Sequence, residues 1–371
     1  MPSFKVAVVG LGNAGHTLHL PALAGLQDIA TVVGACDVDA ARRDRAASTW
    51  KVPVFESIED VISQTSPDVV IVGTPPASHV EHCIFALESG AHVICEKPFA
   101  SSIDEANSIL AASAATGRRL ALNHEFREMA IFRAVRDAAD AAPGGVVFAQ
   151  AWQLMDLPPW AEPGWRGQML QRTLYEAGIH LVDYLMALFG ERPISVSAST
   201  STCGVRASDS DAVALVTLEF TRGRLAQIVQ DRLCKGETQY FELRAETRDS
   251  SLRASFGGRA RVSAGLHRST RPHMRLEYGV SGLAWREVGH QRTLLARNPK
   301  DPAMLATRTL IQRSLTAFRD GGDLPADGRA GVDVLEVIAA TYLSADSGQR
   351  ITLDSDAVRG LASLQMGVVP G

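Results

Sequence analysis

The chain has 371 residues, 46% of them hydrophobic, and a formal charge of −4, enough length for two domains with substantial cores. That charge argues against nucleic acid or an anionic membrane as the main partner, and no apolar run approaches the roughly 18 residues that span a bilayer. With no signal-peptide pattern and five scattered cysteines lacking C-x-x-C or metal-type spacing, a reduced, cytoplasmic protein without a bound metal is expected.

Lys5–Val9 is a short apolar run of the kind buried on both faces of a parallel sheet. Gly10, Gly12 and Gly15 follow, with Asn13 and Ala14 between them. The first glycine permits a tight turn, the second lets backbone approach a pyrophosphate, and the third lets the next helix pack on the strand. The helix N-terminus then offers free N–H groups to phosphate. A second strand, Thr31–Cys36, ends at Asp37, placed to accept hydrogen bonds from the adenosine ribose hydroxyls. A carboxylate there repels a 2′-phosphate, which favours NAD over NADP. Arg42 and Arg43, one turn into the next helix, either reach such a phosphate or are solvated on an exposed face.

Residues 68–73 read as a third buried strand, closed by Thr74-Pro75-Pro76, and Ser78 as the N-cap of a helix to Ser89. Ala91–Cys95 is a strand running into Glu96-Lys97-Pro98, Ile103–Thr116 a helix, and Arg118–Leu122 a strand ending at Asn123. This rhythm predicts a Rossmann-type, doubly wound parallel sheet in residues 1–124. Beyond it, residues 146–154, 194–202, 212–221, 224–233, 239–245 and 252–256 are β-prone and several alternate. With a helix near 173–188 and closing helices near 303–320 and 330–345, they predict an α+β second domain over 125–371, built on a large, mostly antiparallel, open-faced sheet. Its strands 212–221 and 224–233 leave Val and Leu for the uncovered face, so a homodimer or homotetramer is expected.

Hydride transfer from an alcohol to a nicotinamide requires removal of the hydroxyl proton, and the reverse step requires a proton donor. Lys97, at a carboxyl strand end facing the ligand crevice, suits an electrophile that stabilises alkoxide charge. Glu176 and His180 stand four apart in the expected helix, with Asp183 three further on, so they share a face. A carboxylate paired with the imidazole raises its pKa and orients it as an acid/base.

The glycine fingerprint, Thr74-Pro75-Pro76-Ala-Ser-His79, the run Ala86 to Pro98, Gly178-Ile-His180-Leu-Val-Asp183, and Ala340 to Gly348 together make the chain resemble the Gfo/Idh/MocA family (glucose–fructose oxidoreductase, inositol dehydrogenase) over nearly its whole length. The resemblance implies Lys97 as the catalytic lysine, His180 as its acid/base, Glu176 standing where the family usually has Asp, and Glu96 near the cofactor. The expected cofactor contacts are Gly10, Gly12, Asn13, Ala14, Gly15, Asp37, Thr74, Pro75, His79, Glu96, Lys97, Asn123 and Arg166. Lys97, Trp165, Arg172, Glu176 and His180 are expected around the substrate. The family's glycine-rich stretch before this helix is replaced by Gln171-Arg172-Thr173-Leu174-Tyr175. Bulkier groups there should reshape the pocket, and the longer Glu176 either displaces a substrate hydroxyl or pairs with Arg172. The leading function is an NAD-dependent dehydrogenase or reductase of a sugar, cyclitol or related hydroxy/keto compound. The alternatives are a glycosidase or lyase that oxidises its substrate transiently, and a non-catalytic NAD-binding sensor.

Overall fold

A computed structural model describes residues 3–158, 166, 169–203, 210–236, 238–257, 259–265, 273–279, 281–361 and 366. Six parallel strands form the first layer: β1 (Phe4–Val9), β2 (Ala30–Cys36), β3 (Val54–Phe55), β4 (Val69–Val72), β5 (His92–Cys95) and β6 (Leu120–Leu122). Their spatial order is 3-2-1-4-5-6, which reverses between β1 and β4 and opens a ligand crevice at the carboxyl ends there. The apolar strands are buried because helices cover both faces. These are α1 (Leu20–Leu23), entered through a π-helical turn at Gly15–His19, then α2 (Ala40–Trp50), α3 (Ile58–Thr65), α4 (His79–Glu88) and α5 (Ile103–Thr116). Asp39 and Ser102 cap α2 and α5 through Ala41 N and Glu105 N. Ser78 makes no such side-chain bond, since a 3₁₀ turn, Pro76–Ser78, leads into α4 instead.

The second layer is a nine-stranded sheet of order 16-15-12-11-7-10-9-8-17. Its strands are β7 (Phe148–Leu154), β8 (Ser195–Ser201), β9 (Val213–Glu219), β10 (Leu225–Asp231), β11 (Gln239–Glu246), β12 (Ser251–Phe256), β15 (Leu283–Val288), β16 (Gln291–Arg297) and β17 (Ile351–Thr352). The chain between β12 and β15 forms a separate hairpin of β13 (Arg259–Gly265) and β14 (His273–Gly279). All neighbours in the large sheet are antiparallel except β7 and β10. Helices α6 (Ala130–Asp140), α7 (Ile179–Phe189), α8 (Pro302–Asp320) and α9 (Gly328–Ser347) complete the fold. A second π-helical turn, Thr173–Gly178, leads directly into α7.

The register places Ala151, Ile228 and Val216 side by side, all buried, and their neighbours Trp152, Val229 and Leu215 side by side on the opposite face. Leu215 is 48% exposed, so the open face expected from the alternating pattern is present. The last helices turn back onto the first layer. Arg308 donates to Pro21 O (3.3 Å), Arg119 to Ala317 O (2.5 Å), and Leu122 N to Ala326 O (2.9 Å). β15 and β16 went unread in the sequence because their apolar residues come in consecutive runs, Leu283-Ala284-Trp285 and Leu294-Leu295-Ala296, and do not alternate along the half-exposed strands.

Candidate active site

The glycine loop is tightly constrained. Gly10 has φ +95°, and a Cβ there would come within 2.6 Å of Gly73 C; a Cβ on Gly15 would overlap Gly10 O. Over Gly12 the nearest atom to such a Cβ is an Arg42 nitrogen at 3.9 Å. This open cradle at the start of a helix suits a pyrophosphate. Asp37 ends β2 with one oxygen on Leu11 N (2.8 Å) and the other on Asp39 N (2.9 Å), so the carboxylate is oriented by the loop it serves. Arg42 lies 3.5 Å from it, while Arg43 donates to the Asp37 and Val38 carbonyls.

His79 is wholly buried, with Nδ1 on Pro98 O (2.9 Å) and Nε2 on Thr74 O (2.8 Å). Both ring nitrogens thus face main-chain carbonyls, and burial lowers the pKa of the imidazole, which in its neutral form has a single N–H to donate. It ties the end of β4 to the Lys97-Pro98 corner, whose peptide is cis. Glu96 is anchored by Asn123 Nδ2 (2.7 Å), by His19 Nε2 at 2.9 Å, and by Lys97 N (3.1 Å). Burial alone would raise its pKa, but His19, Lys97 and Asn123 outweigh burial and hold it at about 2. A fixed carboxylate thus supports the backbone from which Lys97 projects.

Lys97 Nζ reaches out of the first layer and donates to Glu176 O at 3.2 Å. His180, one turn later, is buried and stacked on Phe126, with ring centroids 4.2 Å apart and planes at 17°. Burial first, then the Lys97 charge, and then the neighbouring His124 push its pKa well below the usual value. The imidazole is therefore neutral, not held as the raised, carboxylate-paired acid that the helical spacing predicted. The reason is geometric. Glu176 lies in the π-helical turn, where wider winding breaks the i,i+4 alignment, and its carboxylate meets Arg166 Nε (3.1 Å) and Arg232 (3.8 Å). Those arginines and Lys97 outweigh burial and lower its pKa. Arg166 is thus a partner of Glu176. Arg172, which the sequence offered for that role, is fully buried, and Asp211 accepts its backbone N–H (2.7 Å). Asp183 turns to Arg127 in a two-pronged pair (2.8 and 2.6 Å). Trp165 lies outside the described residues.

Sequence reasoning missed Arg232, Glu125 and Tyr240. Arg232 follows β10 and is fully buried. Tyr240 packs edge-on to Phe126 and Phe256 at 6.0 and 5.3 Å. Beyond Phe256 a cavity of about 420 Å³ opens between Leu18, Pro21 and the start of α8.

Residues 4–124 match the model of an oxidoreductase family with an NAD-binding Rossmann fold, and residues 132–248 match the GFO/IDH/MocA C-terminal domain. D-apiose dehydrogenase of Paraburkholderia graminis is 26% identical over 95% of this chain and 90% of its own. The scyllo-inositol 2-dehydrogenase (NADP(+)) IolW of Bacillus subtilis is 23% identical over 95% and 96%. In fold, the chain is similar to the WlbA dehydrogenase of Bordetella pertussis, solved in complex with NADH and UDP-GlcNAcA. The TM-score is 0.75 at 21% identity, covering 96% of this chain and 99% of that one.

Proposed function

The chain belongs to the GFO/IDH/MocA family of NAD-binding oxidoreductases, and from that premise we propose that it moves a hydride between NAD and a sugar, cyclitol or related hydroxy or keto compound, with Lys97 as electrophile and His180 as acid/base. Residues 1–124 hold the dinucleotide, and residues 125–371 supply the substrate pocket and the self-association surface. The observation that carries this reading is that Lys97 crosses from one layer to bond the Glu176 carbonyl, one turn before His180 in the other. A substrate oxygen held between the two layers meets both.

NAD, when bound, supplies the hydride acceptor. The residues do the rest. Lys97 donates to the substrate oxygen and offsets the charge that develops as its proton leaves. His180, neutral and fixed by Phe126, takes that proton. Glu176 fits the role of a steering group better than that of a base, because its arginine partners keep it ionised. A metabolite screen read by nicotinamide absorbance with NAD and with NADP tests the reading; no turnover of any hydroxy or keto compound would overturn it.

Two further results are expected. The protein should bind NAD(H) more tightly than NADP(H), and Asp37→Ala should narrow that preference by about 1–3 kcal/mol for the lost hydrogen bonds to a charged group, as read by titration with both cofactors. Tighter NADP binding by the wild type would instead make Arg42 a phosphate ligand. Light scattering at micromolar concentration should give the mass of a dimer or tetramer, and Leu215→Lys should lower it by charging the open sheet face.

A further inference from the structure

The far end of β10 lies against the π-helical turn that carries Glu176. Gln230 and Arg232 stand two apart there, so they share a face, and both are fully buried. Gln230 packs so closely on the turn that a Cβ at Gly178 would come within 2.3 Å of its Oε1. Arg232 N donates to Ala212 O (3.0 Å), which keeps its backbone in the sheet one residue past β10. Its side-chain Nε donates to Leu157 O (3.1 Å), and Nη1 lies 3.8 Å from Glu176 Oε2. The start of the turn is pinned separately, by Asp211 accepting from the backbone N–H groups of Arg172 (2.7 Å) and Thr173 (2.9 Å). Between these two anchors, Glu176 O accepts from Lys97 Nζ (3.2 Å). One residue is thus held from the sheet by its side chain and holds Lys97 by its main chain.

We propose that Arg232 is a positioning residue of the hydride-transfer site: from its fixed place at the end of β10 it holds the Glu176 side chain, and through Glu176 the carbonyl on which Lys97 Nζ rests. The inference rests on the oxidoreductase reading above. An ammonium has three N–H groups, so the bond to Glu176 O leaves Lys97 free to donate to a substrate oxygen as well. Lys97 offsets the charge on that oxygen only while Nζ is kept in place.

The charges of the pair answer each other. A wholly buried arginine is costly unless an opposite charge meets it. Burial lowers the Arg232 pKa, and Glu176 is the foremost group opposing that. Burial raises the Glu176 pKa, and Lys97, Arg166 and Arg232 more than offset it. Arg166 shares the carboxylate, but its side chain is 43% exposed and has room to follow it, whereas Arg232 is enclosed. The arrangement also accounts for the length of the side chain at position 176. An aspartate there would end one methylene short of an ion pair that already spans 3.8 Å.

The test is a double-mutant cycle on a compound found in the screen, using Arg232→Met, Glu176→Asp and the two together, with Arg232→Lys as a variant that keeps the buried charge. Each of Arg232→Met and Glu176→Asp should lower kcat by about 10–10²-fold, the scale for misplacing a catalytic group, with a smaller change in KM and with NAD(H) affinity retained. Arg232→Lys should also lose rate, because a single ammonium does not reproduce the fork that reaches both Leu157 O and Glu176. The combined variant should be no slower than the worse single one, since both substitutions break one connection. If the two losses multiply, Arg232 acts elsewhere and the proposal is overturned. Glu176→Asp leaves Arg232 in place, so it decides the matter even where an Arg232 variant does not fold: wild-type kcat in Glu176→Asp overturns the proposal. In both cases the oxidoreductase reading stands. If no compound is turned over, both fall together.

Discussion

His180→Ala is expected to lower turnover by about 10²–10⁴-fold, the usual range for a positioned acid/base, and to leave NAD binding near the wild-type value. The effect should be large because the imidazole is both the proton acceptor and a ring held by Phe126 in one orientation. The pH profile carries the more specific signature. Burial, Lys97 and His124 keep His180 neutral well below its ordinary titration range, so the wild-type oxidation rate should hold through neutrality and fall only in acid, where the imidazole finally charges. The alanine variant should lose that acid limb. If it keeps both the rate and the limb, His180 is a core histidine and Lys97 must handle the proton alone.

Lys97→Met should cost about 10²–10³-fold in turnover, the scale for removing one preorganised donor, with NAD affinity retained. Methionine keeps the unbranched chain as far as Cε and loses both the charge and the bond to Glu176 O. Since the Lys97 charge depresses the pKa of His180, the acid limb should also move to higher pH in this variant. Activity like that of the wild type would reduce Lys97 to a solvated charge at a strand end.

Much of this was legible in the sequence where one residue type answers to one physical demand. Gly10 and Gly15 sit where no side chain fits, Asp37 ends β2 as expected, and Lys97 follows a strand buried in the sheet. The reading went astray where it relied on ideal periodicity. Glu176 and His180 look like i,i+4 partners only if the intervening turn is α-helical, and a π-helical turn has no separate mark in the sequence. His79 looked like a crevice residue, and only the fold shows both its nitrogens facing main-chain carbonyls. Glu125 had one faint signal, an acid three residues past the end of a buried strand at the ligand edge of the sheet. Its carboxyl's isolation depends on Glu96 and Asp183, which stand far from it in the chain.

The return of α8 and α9 to the first layer bears on how the chain acquires its shape. One side of the parallel sheet is sealed by Leu310, Ile311, Leu315 and Phe318 of α8, packed among Val6, Val8, Leu20 and Leu23. On a ribosome, then, the opening segment is synthesised long before its own covering arrives, and its contacts are among the most distant in sequence. Such contacts close slowly, and apolar surface stays uncovered while they do. The nascent N-terminal third is therefore the stretch most dependent on chaperone protection, and its completion waits on the last fifth of the chain.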